Sequence, residues 1–261
     1  MRWQEMTGDK VRAFAEVTDV ALLPVGCVEM HGPHLPTGCD AYIAERLADM
    51  IAAREPCIVL PTLYYNVGQM QRTNLATIAI PADVVVSLYE AICDEAARNG
   101  FHKIAILICH GSSEKAAYHL QDLLFERSRR EDCPSKPYKV FVLYDLRGRR
   151  LGISWDDLWE TPPGKGGHGS ESETSMAMAA RPSLVHLDRL EPLPEGEGEV
   201  HRQTIPAADY QVDFVKVAPK GYCGWPHLAT REKGEEVLTQ LADGWAKVIR
   251  QIRDFDIEDD I

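Results

Sequence analysis

The stretch V-G-C-V-E-M-H-G-P-H-L-P-T-G-C-D, residues 25–40, ends a short apolar run and carries three side chains of the kind that bind metal ions: Glu29, His31 and Asp40. If the backbone from Glu29 to His31 is extended, residues i and i+2 leave the same face, so the carboxylate and the imidazole point together. Asp40 follows a turn rich in glycine and proline and precedes a helical pattern, which returns a second carboxylate towards the strand end. The stretch therefore predicts a metal site in which one carboxylate can bridge two cations.

Two residues of this stretch have a simpler interpretation. Asp40 could be a helix N-cap, whose oxygen accepts hydrogen bonds from exposed backbone N–H groups, and this role is compatible with metal binding. His34 lies in a loop bounded by prolines, where it has no fixed geometry, so the sequence favours a loop histidine over a ligand. Glu29 and His31 follow the apolar run directly, and open α/β sheets place their sites at the carboxyl ends of strands.

Composition limits the class of protein. A chain of 261 residues with 45% apolar and 26% charged residues is typical of a globular protein, and we expect one domain over residues 1–261. With 28 basic and 40 acidic residues, the net charge of -12 repels nucleic acid and anionic membranes alike. No apolar run reaches the length of a signal peptide or a membrane span. We expect a cytoplasmic protein that binds a small-molecule substrate, not nucleic acid or a membrane.

The seven cysteines show no repeated C-x-x-C spacing, so the sequence indicates neither a disulfide framework nor a structural zinc knuckle. Cys27, Cys39 and Cys109 lie beside candidate ligands. Small buried cysteines that flank strands are more common than cysteine ligands in such positions. We therefore predict reduced thiols that do not bind the metal.

Apolar runs alternate with helical periodicities through the first half of the chain. The runs that predict strands are residues 20–25, 57–60, 104–109 and 140–144. Helical patterns cover residues 11–18 and 115–129, and two more separate the first three strands. The run I-A-I-L-I-C at residues 104–109 is apolar on both faces, which is typical of a central parallel strand. The alternation predicts a doubly wound α/β sheet.

The other segments are less regular. Residues 61–77 contain few core residues and are predicted to lie over a pocket. The acidic residues 191–200 are predicted to form a surface connection. Helices are predicted from Met176 to Arg181 and over residues 234–253.

Six side chains could form the site: Glu29, His31, Asp40, His110, His168 and Glu173. His110 ends the second central strand and so repeats the placement of His31. Mixed carboxylate and imidazole ligands suit zinc, manganese or iron better than calcium, and a shared carboxylate suits two ions. Two divalent metal ions would lower the pKa of a bridging water, which favours hydrolysis. His168 and Glu173 are candidates for moving protons to the leaving group.

The stretch L-P-V-G-C-V-E-M-H-G-P-H-L-P-T-G-C-D closely resembles the signature of the creatininase (creatinine amidohydrolase) family, in which an acid and a histidine two apart precede an aspartate by nine residues. Three further segments are similar to family motifs: C-H-G-S-S, G-G-H-G-S-E-S-E-T-S and G-Y-C-G-W-P-H-L-A-T-R-E-K-G. The first block is highly specific, and the resemblance covers most of the chain.

This resemblance implies a fold, an activity and an assembly. Family members are three-layer α/β/α sandwiches with a mainly parallel sheet, and they hydrolyse cyclic amides, formamides or related bonds, commonly as homo-hexamers. The resemblance implies that Glu29 and His110 hold one metal, His31 holds the other and Asp40 bridges both. It also implies that His168 and Glu173 form the catalytic pair.

The chain departs from the family pattern beside His110. The namesake enzyme has a tyrosine and a metal-binding glutamate where this chain has Gly111 and Ser112, so one ligand of the second metal is missing. Glu173 could supply it, water could replace it, or that metal is weakly bound. Glu171 is a poorer substitute because it is out of phase with Glu173.

The same departure bears on the substrate. The space vacated at residues 111 and 112 borders Ser112 and Ser113, with Trp155 or Trp159 placed to close the pocket. We therefore expect Ser112, Ser113 and Trp155 to contact a substrate more polar than a flat methylated ring, and we predict that creatinine is not the main substrate.

The leading hypothesis is a metal-dependent hydrolase of a C–N bond in a small cyclic amide or an N-acyl or formamide compound. A ring-opening hydrolase of a cyclic ketone or a small peptidase would use the same activated water. From a different class, the missing ligand favours a non-catalytic, metal-binding regulatory or scaffold protein. The pairing of His168 with Glu173 argues against that alternative, because a binding module needs no proton transfer.

Overall fold

The computed structural model describes residues 1–130, 132, 135–191 and 212–257. Within these ranges, one parallel sheet has the strand order β2-β1-β3-β4, and its strands are β1 Val20–Val25, β2 Ile58–Val59, β3 Lys103–Ile108 and β4 Lys139–Leu143. The α-helices are α1 Gly8–Ala15, α2 Cys39–Ala52, α3 Ala82–Arg98, α4 Ser113–Ser128, α5 Glu171–Ala180 and α6 Arg231–Asp254.

Both faces of the sheet are buried because the central strands are apolar throughout. Successive side chains of a strand point to opposite faces, so Leu22 and Leu107 enter one core while Leu23 and Ile106 enter the other. The first core is covered by α2, α5 and α6, and the second by α1, α3 and α4. The predicted three-layer α/β/α sandwich with a parallel sheet is confirmed.

Helix α6 shows how the sequence pattern produces one of these layers. Apolar residues at spacings of three and four, including Val237, Leu241, Trp245 and Ile249, form its buried stripe. Each fully buried side chain of this size stabilises the fold by roughly 1.5–3 kcal/mol. Thr230 caps the helix by accepting a hydrogen bond from the backbone N–H of Lys233 at 3.3 Å.

The strand order places a crevice at the carboxyl ends of β1 and β3. From β1 the chain passes to β2 on one side, whereas β3 pairs with β1 on the other, with Val25 opposite Ile108. In doubly wound sheets, sites form where the strand order reverses. The ligand stretch follows β1 and His110 follows β3, so the topology brings these two segments together.

Several boundaries differ from the predictions. Helix α1 begins and ends three residues earlier than predicted, and α5 begins at Glu171, well before Met176. Acidic residues in a first turn interact favourably with the helix dipole, which explains the early start of α5. The predicted acidic connection lies outside the described residues after Glu191. None of the described helices combines the length and apolar character that crossing a membrane requires.

Candidate metal centre

Asp40 reaches the end of β1 because α2 begins in close contact with the chain that leaves this strand. A Cβ atom on Gly26 would lie 2.2 Å from the backbone nitrogen of Ala41, so this approach requires glycine. The N-cap of α2 is Gly38, and Asp40 lies within the first turn. The alternative interpretation of Asp40 as the N-cap is therefore wrong, and its carboxylate points into the crevice instead.

The two oxygens of Asp40 face different histidines. Oδ1 lies 3.1 Å from Nε2 of His31, and Oδ2 lies 3.0 Å from Nδ1 of His110. Asp40 and His31 are only 2% and 1% exposed, and these distances are direct contacts. One carboxylate thus spans two imidazoles, which is the arrangement that a bridging ligand requires.

Glu29 lies among three imidazoles. Its Oε1 is 3.2 Å from Nδ1 of His110, 3.5 Å from Nδ1 of His168 and 3.8 Å from Nε2 of His31. Its Oε2 is buried and has no hydrogen-bond partner, and the same is true of Nε2 of His31. Buried polar atoms without partners are costly, so their presence in one cluster indicates a binding site.

The tautomers of the histidines are determined by the backbone. His31, His110 and His168 each place one ring nitrogen against a backbone carbonyl, at 3.1, 2.9 and 2.6 Å respectively. A carbonyl only accepts, so these nitrogens carry a proton, and the second nitrogen of each ring faces the carboxylates. In His31 and His110 that second nitrogen can hold another proton or, once it loses that proton, bind a metal ion.

The pKa values of the histidines show that the carboxylates favour positive charge in this cluster. Burial lowers the pKa of His31, but the charges of Asp40, Glu29 and Glu173 outweigh burial and raise it to about 10. Burial likewise lowers the pKa of His110, whereas Glu29 and Asp40 raise it well above its ordinary value. Protons therefore compete with metal ions for this cluster. By contrast, burial lowers the pKa of His168 to about 4.

Glu173 comes from the first turn of α5 and borders the cluster. Its Oε2 accepts a hydrogen bond from the backbone N–H of Gly169 at 2.6 Å and lies 3.6 Å from Nε2 of His31. Burial raises the pKa of Glu173 to about 7. Its side chain is 22% exposed, against 3% for Asp40. Glu173 is thus the carboxyl group placed between the buried ligands and solvent, with a pKa that suits proton transfer.

The donor set fits divalent metal ions. Ligand atoms within 4.8 Å of one another form three groups: Cys27, Glu29 and His110; Glu29, His31 and His168; and His31, Cys39 and Asp40. Within the described part of the chain, the ion-pair partners of these carboxylates and of Glu173 are histidines, not lysine or arginine. Imidazole with carboxylate suits zinc, manganese or iron.

Two of the three cysteines beside the candidate ligands lie within this cluster. Cys27 and Cys39 are buried and their sulfur atoms belong to the groups above. Burial raises the pKa of Cys27 to about 12 and that of Cys39 well above its ordinary value, so both are protonated thiols. A thiol is a poor ligand, and that these cysteines do not bind the metal stays a prediction.

The predicted substrate contacts are only partly near the cluster. Ser112 is half-buried at the N-cap of α4, directly after the His110 segment, and Ser113 is fully buried. The structure does not bring Trp155 to the cluster. Its indole is 7% exposed, packs in the core and donates a hydrogen bond from Nε1 to Oε1 of Gln240 on α6 at 2.9 Å. The need to fill this core explains the position of Trp155.

Two residues that the sequence reasoning missed lie at the site. Gln71 is buried in the segment 61–77, with Nε2 3.1 Å from Nε2 of His168, so this segment borders the cluster. Tyr144 follows β4, and its Oη would lie 3.5 Å from a Cβ atom on Gly111. The pairing of β3 with β4 accounts for Tyr144, whereas nothing in the sequence pattern indicates the contact of Gln71 with His168.

Comparison with known families agrees with this geometry. The creatininase family, described as creatinine amidohydrolase, matches residues 4–249. The chain belongs to the creatininase family. The predicted family and the predicted class, a metal-dependent hydrolase, are confirmed.

Three relatives show the range of the family. A 3-dehydro-scyllo-inosose hydrolase of Thermotoga maritima is 25% identical, with 96% of this chain and 83% of that protein aligned. A creatinine amidohydrolase of Pseudomonas putida is 26% identical over 95% of both chains. A mycofactocin precursor peptide peptidase of Mycobacterium ulcerans is 26% identical over 85% of this chain and 81% of its own length.

Solved structures show the same fold. A crystal structure of creatininase superposes with a TM-score of 0.79 at 26% identity and covers 98% of both chains. Other creatininase structures are described as a manganese form and a zinc-zinc form. Together with the donor groups of this chain, these forms support the predicted divalent metal cofactor.

Proposed function

We propose that this protein hydrolyses a C–N bond in a small cyclic amide or an N-acyl or formamide compound, with the help of two divalent metal ions. The observation that carries the proposal is Asp40, whose two oxygens face His31 and His110 separately. This arrangement lies in a buried crevice at the reversal point of the strand order, where α/β enzymes bind substrates.

The residues divide between two metal positions. Glu29 and His110 would hold one ion, His31 the other, and Asp40 both. Divalent ions at these ligands supply a water that is nucleophilic near neutral pH and polarise the carbonyl of the substrate. The backbone carbonyls that accept from the far nitrogens of the histidines keep each ring in the orientation that this role requires.

His168 and Glu173 would move the protons. Hydrolysis forms a C–O bond from water and breaks the C–N bond, so one proton must pass from the water to the leaving nitrogen. The carboxyl of Glu173, with a pKa raised to about 7 by burial, can take this proton and give it up again. His168 directs its unprotonated Nδ1 into the same cluster, 3.5 Å from Glu29, and can hold the substrate or the leaving group by accepting a hydrogen bond.

Glu173 also has the position of a replacement ligand. Ser112 contributes no charge to the second metal position, and Oε2 of Glu173 is 3.6 Å from Nε2 of His31. This distance favours Glu173 as the source of the missing oxygen ligand over the two alternatives, in which water replaces the ligand or the second metal is weakly bound. Metal analysis of Glu173→Gln distinguishes these cases: loss of one metal supports the ligand role, and two retained metals with low activity support the proton-transfer role alone.

We also propose that creatinine is not the main substrate. Gly111 leaves one side of the crevice without a side chain, and Ser112 changes the charge beside the second metal position. The relatives are named after an inosose, creatinine and a peptide, so family membership leaves the substrate open. The hydroxyl groups of Tyr144 and Ser112 favour a substrate with more polar groups than creatinine has.

The test combines metal analysis with a substrate panel. Purified protein would be assayed on creatinine, lactams, formamides, short peptides and hydroxylated cyclic ketones, each with manganese, zinc or iron added. We expect two bound metals and C–N hydrolysis that increases with added metal. Creatinine hydrolysed fastest, without added metal, would contradict the substrate proposal, and absence of hydrolysis across the panel would contradict the amidohydrolase proposal.

Ring opening of a cyclic ketone is the second candidate. The similarity to a 3-dehydro-scyllo-inosose hydrolase over 96% of this chain favours it, as does the hydroxyl of Tyr144 beside Gly111, which could bind a ring with several hydroxyl groups. Fastest turnover of a hydroxylated cyclic ketone in the same panel would select this candidate. The relatives are named as hydrolases or peptidases, so the comparisons do not support the alternative of a non-catalytic scaffold protein.

The single domain, the assembly and the location are proposals as well. We propose that residues 1–261 form one domain that assembles as a homo-hexamer, as the family resemblance implies, and sedimentation velocity of the purified protein tests the assembly. The six described cysteines are buried, which is compatible with the proposed reducing cytoplasm.

A further inference from the structure

His34 is fully buried, yet none of its hydrogen bonds goes to the six residues of the proposed metal and catalytic site. Its Nε2 lies 3.0 Å from Oγ1 of Thr174, a residue 140 positions later in the chain. Thr174 is also fully buried and follows Glu173 directly. The sequence favoured a loop histidine without fixed geometry, whereas the structure holds this ring against α5.

The direction of the hydrogen bonds follows from the chemistry of the hydroxyl. Oγ1 of Thr174 donates its single proton to the backbone carbonyl of Gly169 at 3.3 Å. The hydroxyl can then only accept from His34, so Nε2 of His34 carries the proton. Burial lowers the pKa of His34 to about 4, which makes the ring a neutral donor at physiological pH. The chain of donors therefore runs from His34 through Thr174 to Gly169.

Gly169 is held on both sides. Its carbonyl receives the hydrogen bond from Thr174, and its N–H donates to Oε2 of Glu173 at 2.6 Å. The residue has φ +62, and a Cβ atom would lie 2.7 Å from Cβ of Tyr222, so the turn requires glycine. This turn connects His168 to Glu173, and its shape sets the direction of both side chains.

Two further contacts hold His34, one to its ring and one to its backbone. The ring of Tyr222 packs edge-on against it, with centroids 5.3 Å apart. The backbone carbonyl of His34 accepts a hydrogen bond from the N–H of His186 at 2.8 Å. A ring held this firmly can transmit a fixed position to the groups that it contacts.

We propose that His34 is a positioning residue, which acts through Thr174 to hold the Gly169 turn and so to orient His168 and Glu173. The inference rests on the proposed function, in which those two side chains transfer protons. His34 itself contacts neither substrate nor metal in this role. The alternative is a histidine that only stabilises the fold.

The test compares His34→Leu, which removes the donor, with His34→Gln, whose amide N–H can replace Nε2. With the best substrate of the panel, we expect kcat to fall about 10- to 100-fold in His34→Leu, with KM and metal content close to wild type. His34→Gln should recover most of this loss. Thr174→Val should lower kcat similarly. The kcat of the double variant His34→Leu/Thr174→Val should be no lower than that of the more impaired single variant.

A matched control is Thr161→Val, which removes the hydroxyl of another buried threonine, one that makes none of the hydrogen bonds of the Gly169 turn. This variant should keep wild-type kcat. If His34→Leu does not fold, Thr174→Val still decides the question. A lower melting temperature with unchanged kcat in His34→Leu or Thr174→Val, or additive effects in the double variant, would overturn the proposal.

A crystal structure of Thr174→Val or His34→Leu tests the inference without any substrate. We expect the Gly169 turn to move and its N–H to leave Glu173. An unchanged turn overturns the positioning role even if the protein proves to be an active hydrolase. If no panel compound is hydrolysed by the wild type, the proposed function fails, whereas the position of the turn still supports or overturns the role of His34.

Discussion

Glu171 and Glu173 lie two residues apart on the first turn of α5, but they enter different surroundings. Glu171 is 1% exposed, accepts hydrogen bonds from two backbone N–H groups and pairs with Nζ of Lys233 at 2.5 Å. Glu173 accepts one backbone N–H and faces His31. Burial raises the pKa of Glu173 to about 7. For Glu171, hydrogen bonds from Lys233 and the backbone outweigh burial, and its pKa is lowered.

The difference shows where this fold supplies its own positive charge and where it does not. Glu55 is another buried carboxylate, and it is paired with Arg250 and Arg253. Glu29 and Asp40 are as deeply buried, but their ion-pair partners are histidines, which can give up a proton to bind a metal ion. Buried carboxylates without a cation are costly. We infer that the cation of the Glu29 cluster comes from outside the chain, as a metal ion.

The largest effect is expected from removal of the shared carboxylate. Asp40→Ala should release both metals and abolish activity, because each oxygen serves one metal position, whereas His31→Ala should mainly empty one position. Elemental analysis of the purified variants measures this directly. Retention of both metals in Asp40→Ala would show that the bridging assignment is wrong.

Loss of His168 should reduce activity while the fold remains. We expect His168→Ala to keep a melting temperature near that of the wild type and most of its metal, and to lose about 10²- to 10⁴-fold in kcat. Thermal melting, metal analysis and steady-state kinetics on one preparation provide the three readouts. A large loss of stability with unchanged specific activity would make His168 a structural residue.

On the other side of the comparison, Glu171→Gln should affect stability and spare the metals. Its loss leaves Lys233 without its buried partner, although Glu160 remains close, and we expect the free energy of unfolding to fall by roughly 2 kcal/mol. Metal content and kcat should remain at wild-type values. Loss of metal in this variant would contradict the separation of the two clusters.

The stabilisation that Glu171 provides should depend on pH, in a direction that follows from its lowered pKa. A carboxyl whose pKa is lower in the folded state stabilises the fold above its unfolded pKa of about 4.3, and this contribution disappears as pH falls through the folded value. The difference in unfolding free energy between the wild type and Glu171→Gln should therefore be largest near neutral pH and shrink below about pH 4. Denaturant unfolding at several pH values measures it.

The sheet and the ligand stretch could be predicted because their signals are local. Apolar runs gave β1 over the same residues as observed and β3 displaced by one, and His31 and His110 follow these strands. The early start of α5 also had a local signal, since Ser170 precedes Glu173 by three residues, as in a capping box. Which ligand faces which was available only through resemblance to a known family.

Contacts made across the fold could not be predicted. Gln71 meets His168 over 97 positions and His34 meets Thr174 over 140, and no periodicity encodes such pairs. Trp155 precedes His168 in the sequence by a short segment, but its indole packs in the core beside α6. Position along the chain therefore predicted that the strand-end side chains lie together, but not which residues the loops and the last helix bring to them.

The smallest effect is expected from a substitution at Ser112, where the chain lacks a ligand of the second metal. Adding a negative charge there tests whether the metal cluster needs another carboxylate. Ser112→Glu restores the carboxylate that the namesake enzyme has after its second histidine. The serine is half-buried at the N-cap of α4 but forms no side-chain capping bond, so its replacement should cost less than the usual ~1 kcal/mol of a lost cap. An added anionic ligand should tighten binding of the second metal about tenfold, so activity should need less added metal.

Ser112→Gln, of similar size without the charge, is the matched control and should leave the metal dependence unchanged. Metal titrations of activity for the three proteins measure the effect, and equal behaviour of Ser112→Glu and Ser112→Gln would show that Ser112 does not face the second metal position.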